Sequence, residues 1–94
     1  MSDPQLVKND EEQCYELLVD DERIGRIDWK LDGNVVELVH TEVDPKHSGQ
    51  GYAGMLTDFA LTDIAENGQL VRPTCPYVAT HIKRNPEYGS NVVE

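Results

Sequence analysis

The stretch that most constrains the fold of this chain is residues 47–54, where three glycines and an alanine separate a β-like run from a helix-like run. Upstream, residues 35–43 are rich in β-branched side chains, which favour a strand. Downstream, apolar side chains recur at the three- and four-residue spacing of a helix face. They are Tyr52, Met55, Leu56, Phe59, Ala60 and Ile64. The glycines therefore open a helix directly after a strand.

A helix that opens on glycines can bind an anion. Its first-turn N–H groups have no intrahelical partner, small residues allow a ligand close approach, and the positive end of the helix dipole lies there. A tight connection without a ligand is the alternative interpretation. The chain has no Gly-Lys-Ser/Thr sequence for a P-loop, and 94 residues do not hold the paired strand–helix units of a dinucleotide fold. A smaller pyrophosphate site remains.

Length and charge limit the domain count and the partners. We expect one domain, residues 1–94, with one modest core. Eight Lys and Arg against 18 Asp and Glu leave a formal charge of −10, which argues against nucleic acid and anionic membranes as partners and favours a cationic one. Residues 1–44 carry −9, residues 45–85 carry +1 and residues 86–94 carry −2. Only the part with the glycines suits an anionic ligand.

The termini and the cysteines indicate the compartment. The acidic residues 10–12 are unlike a signal or transit peptide, and no apolar run reaches membrane-spanning length. We therefore expect a cytoplasmic protein, either a monomer or a weak dimer. Cys14 and Cys75 lack metal-ligand spacing, so we expect free thiols and no metal.

Periodicity predicts the order of the elements. Residues 1–12 are polar and are interpreted as a flexible lead-in. Side chains alternate over residues 13–19 and 24–31, and turn residues connect these strands to the run 35–43 as an antiparallel meander. A helix over residues 50–67 and a short strand over residues 70–73 follow, and this crossover makes the last strand parallel. The prediction is an α/β (α+β) fold with about four mostly antiparallel strands and two helices.

Two residues near the end of the third predicted strand are candidate bases. Strict alternation puts His40 and Glu42 on the face of Val36 and Leu38, just before the glycines. Ligands of open α/β sheets bind at this end of the strands. A structural role for each residue is the alternative.

Cys75 is the second informative position, because Pro76 favours the first position of a helix. Helical spacing continues to Lys83 and Arg84, and Pro86 stops it. A thiol before a helix lies at the positive end of the dipole, which lowers its pKa and favours the nucleophilic thiolate. A small buried hydrophobe is the alternative interpretation, and it is the one adopted for Cys14.

Residues 45–54 resemble motif A of the GNAT superfamily of N-acyltransferases. Its pattern is Arg or Gln, two residues, Gly, one residue, then Gly or Ala, matched here by Ser48-Gly49-Gln50-Gly51-Tyr52-Ala53. With three more segments, the chain from about residue 13 resembles the minimal GNAT-like subfamily of predicted acetyltransferases. Those segments are His40-Thr41-Glu42-Val43, Cys75-Pro76-Tyr77-Val78 and Pro86-Glu87-Tyr88.

The resemblance implies an N-acetyltransferase that uses acetyl-coenzyme A as cosubstrate and acts on a small-molecule or protein amine. Main-chain groups near the motif would bind the coenzyme; they belong to Val43, Ser48, Gly49, Gln50, Gly51, Tyr52, Ala53 and Gly54. The pantetheine arm would lie between the third and fourth predicted strands, and the subfamily's proposed catalytic cysteine falls on Cys75. Ser48 departs from the motif and removes a long side chain near the phosphates. A noncatalytic acyl-coenzyme A binding or interaction module is the alternative.

Overall fold

The computed structural model of the chain describes residues 3–47 and 49–93, which form one mixed α/β domain. A five-stranded sheet carries two helices on one face. The elements in chain order are β1 (Gln5–Asn9), β2 (Cys14–Val19), β3 (Glu22–Asp32), β4 (Val35–Val43), a 3₁₀ turn (Pro45–His47), α1 (Tyr52–Glu66), β5 (Leu70–Pro73), α2 (Pro76–Arg84) and a second 3₁₀ segment (Pro86–Asn91). The predicted fold class is confirmed, with one strand more than expected.

The strands lie in the sheet in their order along the chain. Strands β1 to β4 are antiparallel neighbours, and β5 returns parallel to β4, as the crossover predicts. The interpretation of residues 1–12 as a flexible lead-in was wrong for Gln5–Asn9. These residues pair with β2, and Leu6 packs against the core. A five-residue strand with mixed polarity gives little periodic signal, so its partner strand defines it.

Left-handed backbone positions set the turns that the sequence predicted. Asp20 and Asp21 have φ angles of 53° and 67°, which makes the β2–β3 connection a two-residue turn of the type that suits twisted strands. Gly68, with φ of 69°, follows the end of α1, where a left-handed glycine commonly terminates a helix. Helix α1 begins at Tyr52 rather than Gln50, because Gly51 has φ of 78° and lies outside the helix.

The core fills the space between the sheet and the helices. Its fully buried side chains include Tyr15, Leu17, Ile27, Leu38, Leu56, Ile64, Val71 and Val78. Helix α1 supplies two of them at a spacing of eight residues, so one face of α1 lies on the sheet. The other face of the sheet carries no helix within the described ranges. Function is therefore sought at the ends of the strands and along the helices.

Candidate active site

The glycine-rich turn follows β4 and leads into α1. Gly49 and Gly51 have φ angles of 80° and 78°, a region in which a side chain is strained. A Cβ atom built on either glycine would meet nothing within 4 Å, so the space beside this turn is open. Ser48, one of the predicted binding residues, lies outside the described residues.

The first turn of α1 presents free donors to this space. The N–H of Met55 donates to the Gly51 carbonyl at 3.0 Å, so the N–H groups before Met55 have no intrahelical acceptor. No acidic residue occurs in this turn, and among the residues that the structure describes no side chain caps it. Lys46 precedes it and is exposed. The structure thus brings the predicted residues Gly49, Gln50, Gly51, Tyr52, Ala53 and Gly54 together after Val43, while their role in binding stays a prediction.

Strands β4 and β5 diverge beside this turn. Their pairing ends where Leu38 faces Pro73, although β4 continues to Val43. The last link is a hydrogen bond of 2.9 Å from the N–H of Cys75 to the Leu38 carbonyl. Beyond it, residues 39–43 have β3 as a neighbour on one side and no described strand on the other. The gap lies between the helix N-termini that follow the two strands.

Cys75 occupies the N-terminus of α2 and is only 5% exposed. Its Sγ lies 3.4 Å from the Thr41 Oγ1. Burial favours the neutral thiol, but hydrogen bonds from the Thr41 hydroxyl and from the N–H groups of Val78 and Tyr77 outweigh burial and lower the pKa of Cys75. A buried thiol with a lowered pKa is suited to act as a nucleophile or as a polar wall.

A β-bulge at Val39 changes the faces of β4. His40 lies opposite Asp28 of β3, whereas Leu38 lies opposite Trp29, so Val39 is an extra residue. The alternation of side chains shifts by one residue at this point.

The prediction that His40 and Glu42 share the face of Leu38 was therefore wrong. Thr41, opposite the buried Ile27, faces the core and contacts Cys75. His40 and Glu42 lie on the outer face of the sheet, with their Nε2 and Oε2 atoms 3.9 Å apart and their side chains 59% and 70% exposed. The structure does not bring them to the thiol, and a role for them as bases stays a prediction.

A polar cluster joins the two helices beside the glycine turn. Asp58 of α1 accepts a hydrogen bond from Tyr88 at 2.9 Å and lies 2.7 Å from the His81 Nε2. The Tyr77 and Tyr88 rings each stack with the His81 ring, with centroids 6.2 and 6.0 Å away. Burial and the Asp58 carboxylate raise the pKa of Tyr88. The cluster holds the middle of α1 against the second half of α2 and the 3₁₀ segment.

Two residues near the site were missed by sequence reasoning. Thr41 was assigned no role, because alternation without the bulge directs its side chain away from Cys75. His81 was assigned no role, yet its Cε1 and the Tyr77 Oη would both lie 3.7 Å from a Cβ on Gly54. Pairing and packing define both positions. Of the two residues, only Thr41 lies in a segment that resembles the GNAT-like subfamily, so only Thr41 could have been found from the sequence.

The described residues also limit other kinds of site. No cluster of three or more His, Cys, Asp or Glu side chains suited to a metal ion occurs in residues 3–47 and 49–93. Within the same ranges, neither helix has the length and apolar character needed to cross a bilayer.

The fold and the strand–glycine–helix turn define a family. The sequence model of the GCN5-related N-acetyl-transferase family matches residues 14–92. The chain belongs to this family, whose members carry out acyl transfer.

Individual relatives support the assignment. Protein NATD1 of Gallus gallus and of Homo sapiens is 36% identical over 52 residues, which are 55% of this chain and 47% and 46% of those proteins. The chain matches about half the length of these relatives.

Solved structures share the fold. The solution structure of a GCN5-like protein from Staphylococcus aureus superposes with a TM-score of 0.76 and 18% identity, covering 99% of this chain and 91% of that one. The PaiA N-acetyltransferase of Thermoplasma acidophilum in complex with coenzyme A gives a TM-score of 0.56 and 23% identity, covering 61% and 36%.

Proposed function

We propose that this chain transfers an acetyl group from acetyl-coenzyme A to an amine. The observation that carries the proposal is the gap between β4 and β5, which opens after Leu38 with a helix N-terminus following each strand. The carboxyl ends of parallel strands are where open sheets bind ligands. The family's chemistry and a fold neighbour with bound coenzyme A support the choice of donor.

The coenzyme is assigned to the glycine turn and the gap. Its pyrophosphate would accept hydrogen bonds from the first-turn N–H groups of α1, where no side-chain carboxylate competes. The open space beside Gly49 and Gly51 fits a phosphate group. The pantetheine arm would follow residues 39–43 of β4, whose free edge can pair with its amides. In this arrangement the thioester would lie toward Cys75.

Two routes of transfer are compatible with Cys75. In the covalent route, Sγ attacks the thioester carbonyl, the coenzyme thiolate leaves, and the amine then attacks the acetyl-cysteine and releases Sγ. In the direct route, the amine attacks the thioester and Cys75 is a polar wall beside it. The amine must lose a proton in either case, for which His40 and Glu42 stay candidates from the other face of the sheet.

A noncatalytic acyl-coenzyme A binding module is the second candidate. It is favoured by the surroundings of Cys75, because Thr41 is the side chain hydrogen-bonded to Sγ among the described residues. No His, Asp or Glu side chain of those residues makes that contact. A protein that only holds the coenzyme needs no base there.

The test is acetylation with labelled acetyl-coenzyme A, screened over small amines, polyamines and protein lysines. We expect transfer to a cationic amine above the rate without protein. The intact mass of the protein after incubation with acetyl-coenzyme A and no acceptor separates the two routes. An acetyl adduct that forms on the wild type and on Cys14→Ala, but not on Cys75→Ala, supports the covalent route. Tight binding of coenzyme A without acetyl transfer to any class of amine would instead support the noncatalytic binding module.

A further inference from the structure

The strand β1 has an open edge. It pairs with β2 alone, and within the described residues no backbone hydrogen bond is made on its other side. The opposite edge of the sheet differs, because the N–H of Val93 donates to the Val71 carbonyl at 2.9 Å and Val92 bridges to Val71. One edge of this sheet is therefore partly closed and the other can accept a strand.

The residue best suited to guard that edge is turned inward. Natural edge strands often use lysine to prevent pairing with another chain. Here the Lys8 Nζ lies 3.2 Å from Asp63 of α1 and 5.5 and 6.0 Å from the ring centroids of Trp29 and Tyr15. Its ammonium is held over the core side of the sheet and leaves the backbone of β1 accessible.

An apolar groove runs beside the open edge. It lies between β1 and the exposed face of α1 and has a volume of about 630 Å³. Its lining is Leu6, Gly51, Gly54, Met55, Asp58, Phe59 and Thr62. Met55, in the first turn of α1, is 38% exposed and gives the groove an accessible apolar wall. A side chain of a strand added to β1 could enter this groove.

Carboxylates lie at both ends of β1. Asp10 and Glu11 follow the strand directly and are exposed. At the other end Gln5 faces Leu18, close to Asp21 in the β2–β3 turn and to Glu22 at the start of β3. Antiparallel pairing of β1 with a second copy would bring the acidic end of one chain against that of the other. In a chain of net charge −10 this repulsion disfavours the homodimer and favours a basic segment.

We propose that the β1 edge binds an extended basic segment of a partner protein by strand addition. The segment's backbone pairs with Gln5–Asn9, an apolar side chain enters the groove beside Leu6 and Met55, and its basic side chains meet the carboxylates at the two ends. The groove shares Gly51 and Gly54 with the proposed coenzyme site, whereas the β1 edge and Met55 lie outside the residues assigned to that site, so peptide binding is tested without coenzyme and does not depend on acetyl transfer.

The probe is a fluorescein-labelled heptapeptide, Lys-Val-Lys-Leu-Lys-Val-Lys, titrated with the full chain and followed by anisotropy. We expect saturable binding and slower amide hydrogen exchange in β1. The same peptide with glutamate in place of lysine should bind at least tenfold more weakly, and so should the lysine peptide with alternate amides N-methylated.

Two variants locate the site. Met55→Lys should weaken binding of the basic peptide about tenfold, whereas Leu70→Lys, at a residue equally exposed on the opposite edge strand, should change it less than twofold. Thermal unfolding of both variants checks that each is folded.

Three results would overturn the proposal. They are the absence of saturable binding to the lysine peptide, binding that leaves β1 exchange unchanged, and equal effects of the two variants. Sedimentation of the free chain tests the other occupant, since a concentration-dependent dimer that protects the β1 amides would assign the edge to a second copy.

Discussion

At the scale of single residues, Val39 sets the surroundings of Cys75. Because Val39 is an extra residue opposite β3, the side chains that follow exchange faces. Thr41 thereby comes within 3.4 Å of the thiol, while His40 moves to the outer face. The Cys75 thiol faces a hydroxyl and not an imidazole. Burial favours the neutral thiol, and hydrogen bonds rather than a charged partner lower its pKa.

This arrangement predicts the pH dependence of thiol alkylation. The pKa of Cys75 is lowered from its ordinary value of 9.0, so its reaction with iodoacetamide should reach half its limiting rate below pH 9.0. Burial raises the pKa of Cys14, so the reaction of Cys14 should reach half its limiting rate above pH 9.0. Thr41→Val should shift the Cys75 midpoint upward, since it removes a bond to the thiolate. The ionised thiol also contributes folding stability above pH 9.0 that is lost as pH falls through the folded pKa. Mass spectrometry of each labelled cysteine measures the profiles, and a Cys75 midpoint above that of Cys14 would contradict the assignment.

Gly54 provides a second prediction at this scale. A Cβ there would lie 3.7 Å from the His81 Cε1 and the Tyr77 Oη, an ordinary contact. Gly54→Ala should therefore stabilise α1 by about 0.5–1 kcal/mol, raising Tm by several degrees. If the ligand approaches Gly54 closely, the added methyl should lower the affinity for coenzyme A about tenfold, a loss of about 1.4 kcal/mol of binding free energy. Calorimetric titration with coenzyme A measures the affinity of Gly54→Ala and of the control Gly89→Ala, whose added methyl has no neighbour within 4 Å. Equal affinity in both variants would remove Gly54 from the binding surface.

At the scale of elements, the site consists of two helix N-termini. Helix α1 presents free N–H groups after a left-handed glycine, and α2 begins directly after Cys75. The hydrogen bonds of Asp58 to His81 and Tyr88 hold the helices together, as Asp63 holds α1 to Tyr15 of the sheet. Dipoles and free donors at both ends favour negative charge, one for phosphate and one for a thiolate.

The α1 terminus predicts a ligand-dependent rise in stability. Coenzyme A at one hundred times its Kd should stabilise the fold by about 2.7 kcal/mol, measured by thermal unfolding. Gly51→Asp and Gly51→Asn impose similar backbone strain, since both replace a glycine with φ of 78°. Only aspartate adds a charge that repels phosphate. Gly51→Asp should therefore abolish the coenzyme-dependent rise in Tm, and Gly51→Asn should retain part of it. An unmoved Tm in the wild type at millimolar coenzyme A would refute the assignment.

At the scale of the whole molecule, charge is divided between the two halves of the chain. The first 44 residues, which form β1 to β4, carry −9, and the segment with both helices is close to neutral. Several carboxylates are paired, for example Glu16 with Arg23 and Asp28 with Arg26. The remaining surplus attracts cations over a distance set by the salt concentration.

This surplus predicts salt-dependent acetyl transfer. For a cationic amine, the second-order rate constant should fall as ionic strength rises from 0.01 to 0.15 M in steady-state assays, because the Debye length shortens from about 30 to about 8 Å. A neutral amine at the same concentrations is the control and should show no such trend. A preference for an acidic acceptor, or the same salt response for both amines, would rule out electrostatic steering.

The sequence by itself determined the elements whose signal is local. Alternation, helical spacing, glycine and proline placed β2 to β5 and both helices to within a few residues, and the motif near Gly51 indicated the family. Tertiary structure decided the remaining features, because they depend on pairing between segments that are distant in sequence. Strand β1 forms because it pairs with β2, and the bulge at Val39 arises from the pairing of β4 with β3. The bulge, invisible to alternation along one strand, is why Thr41 and not His40 contacts Cys75.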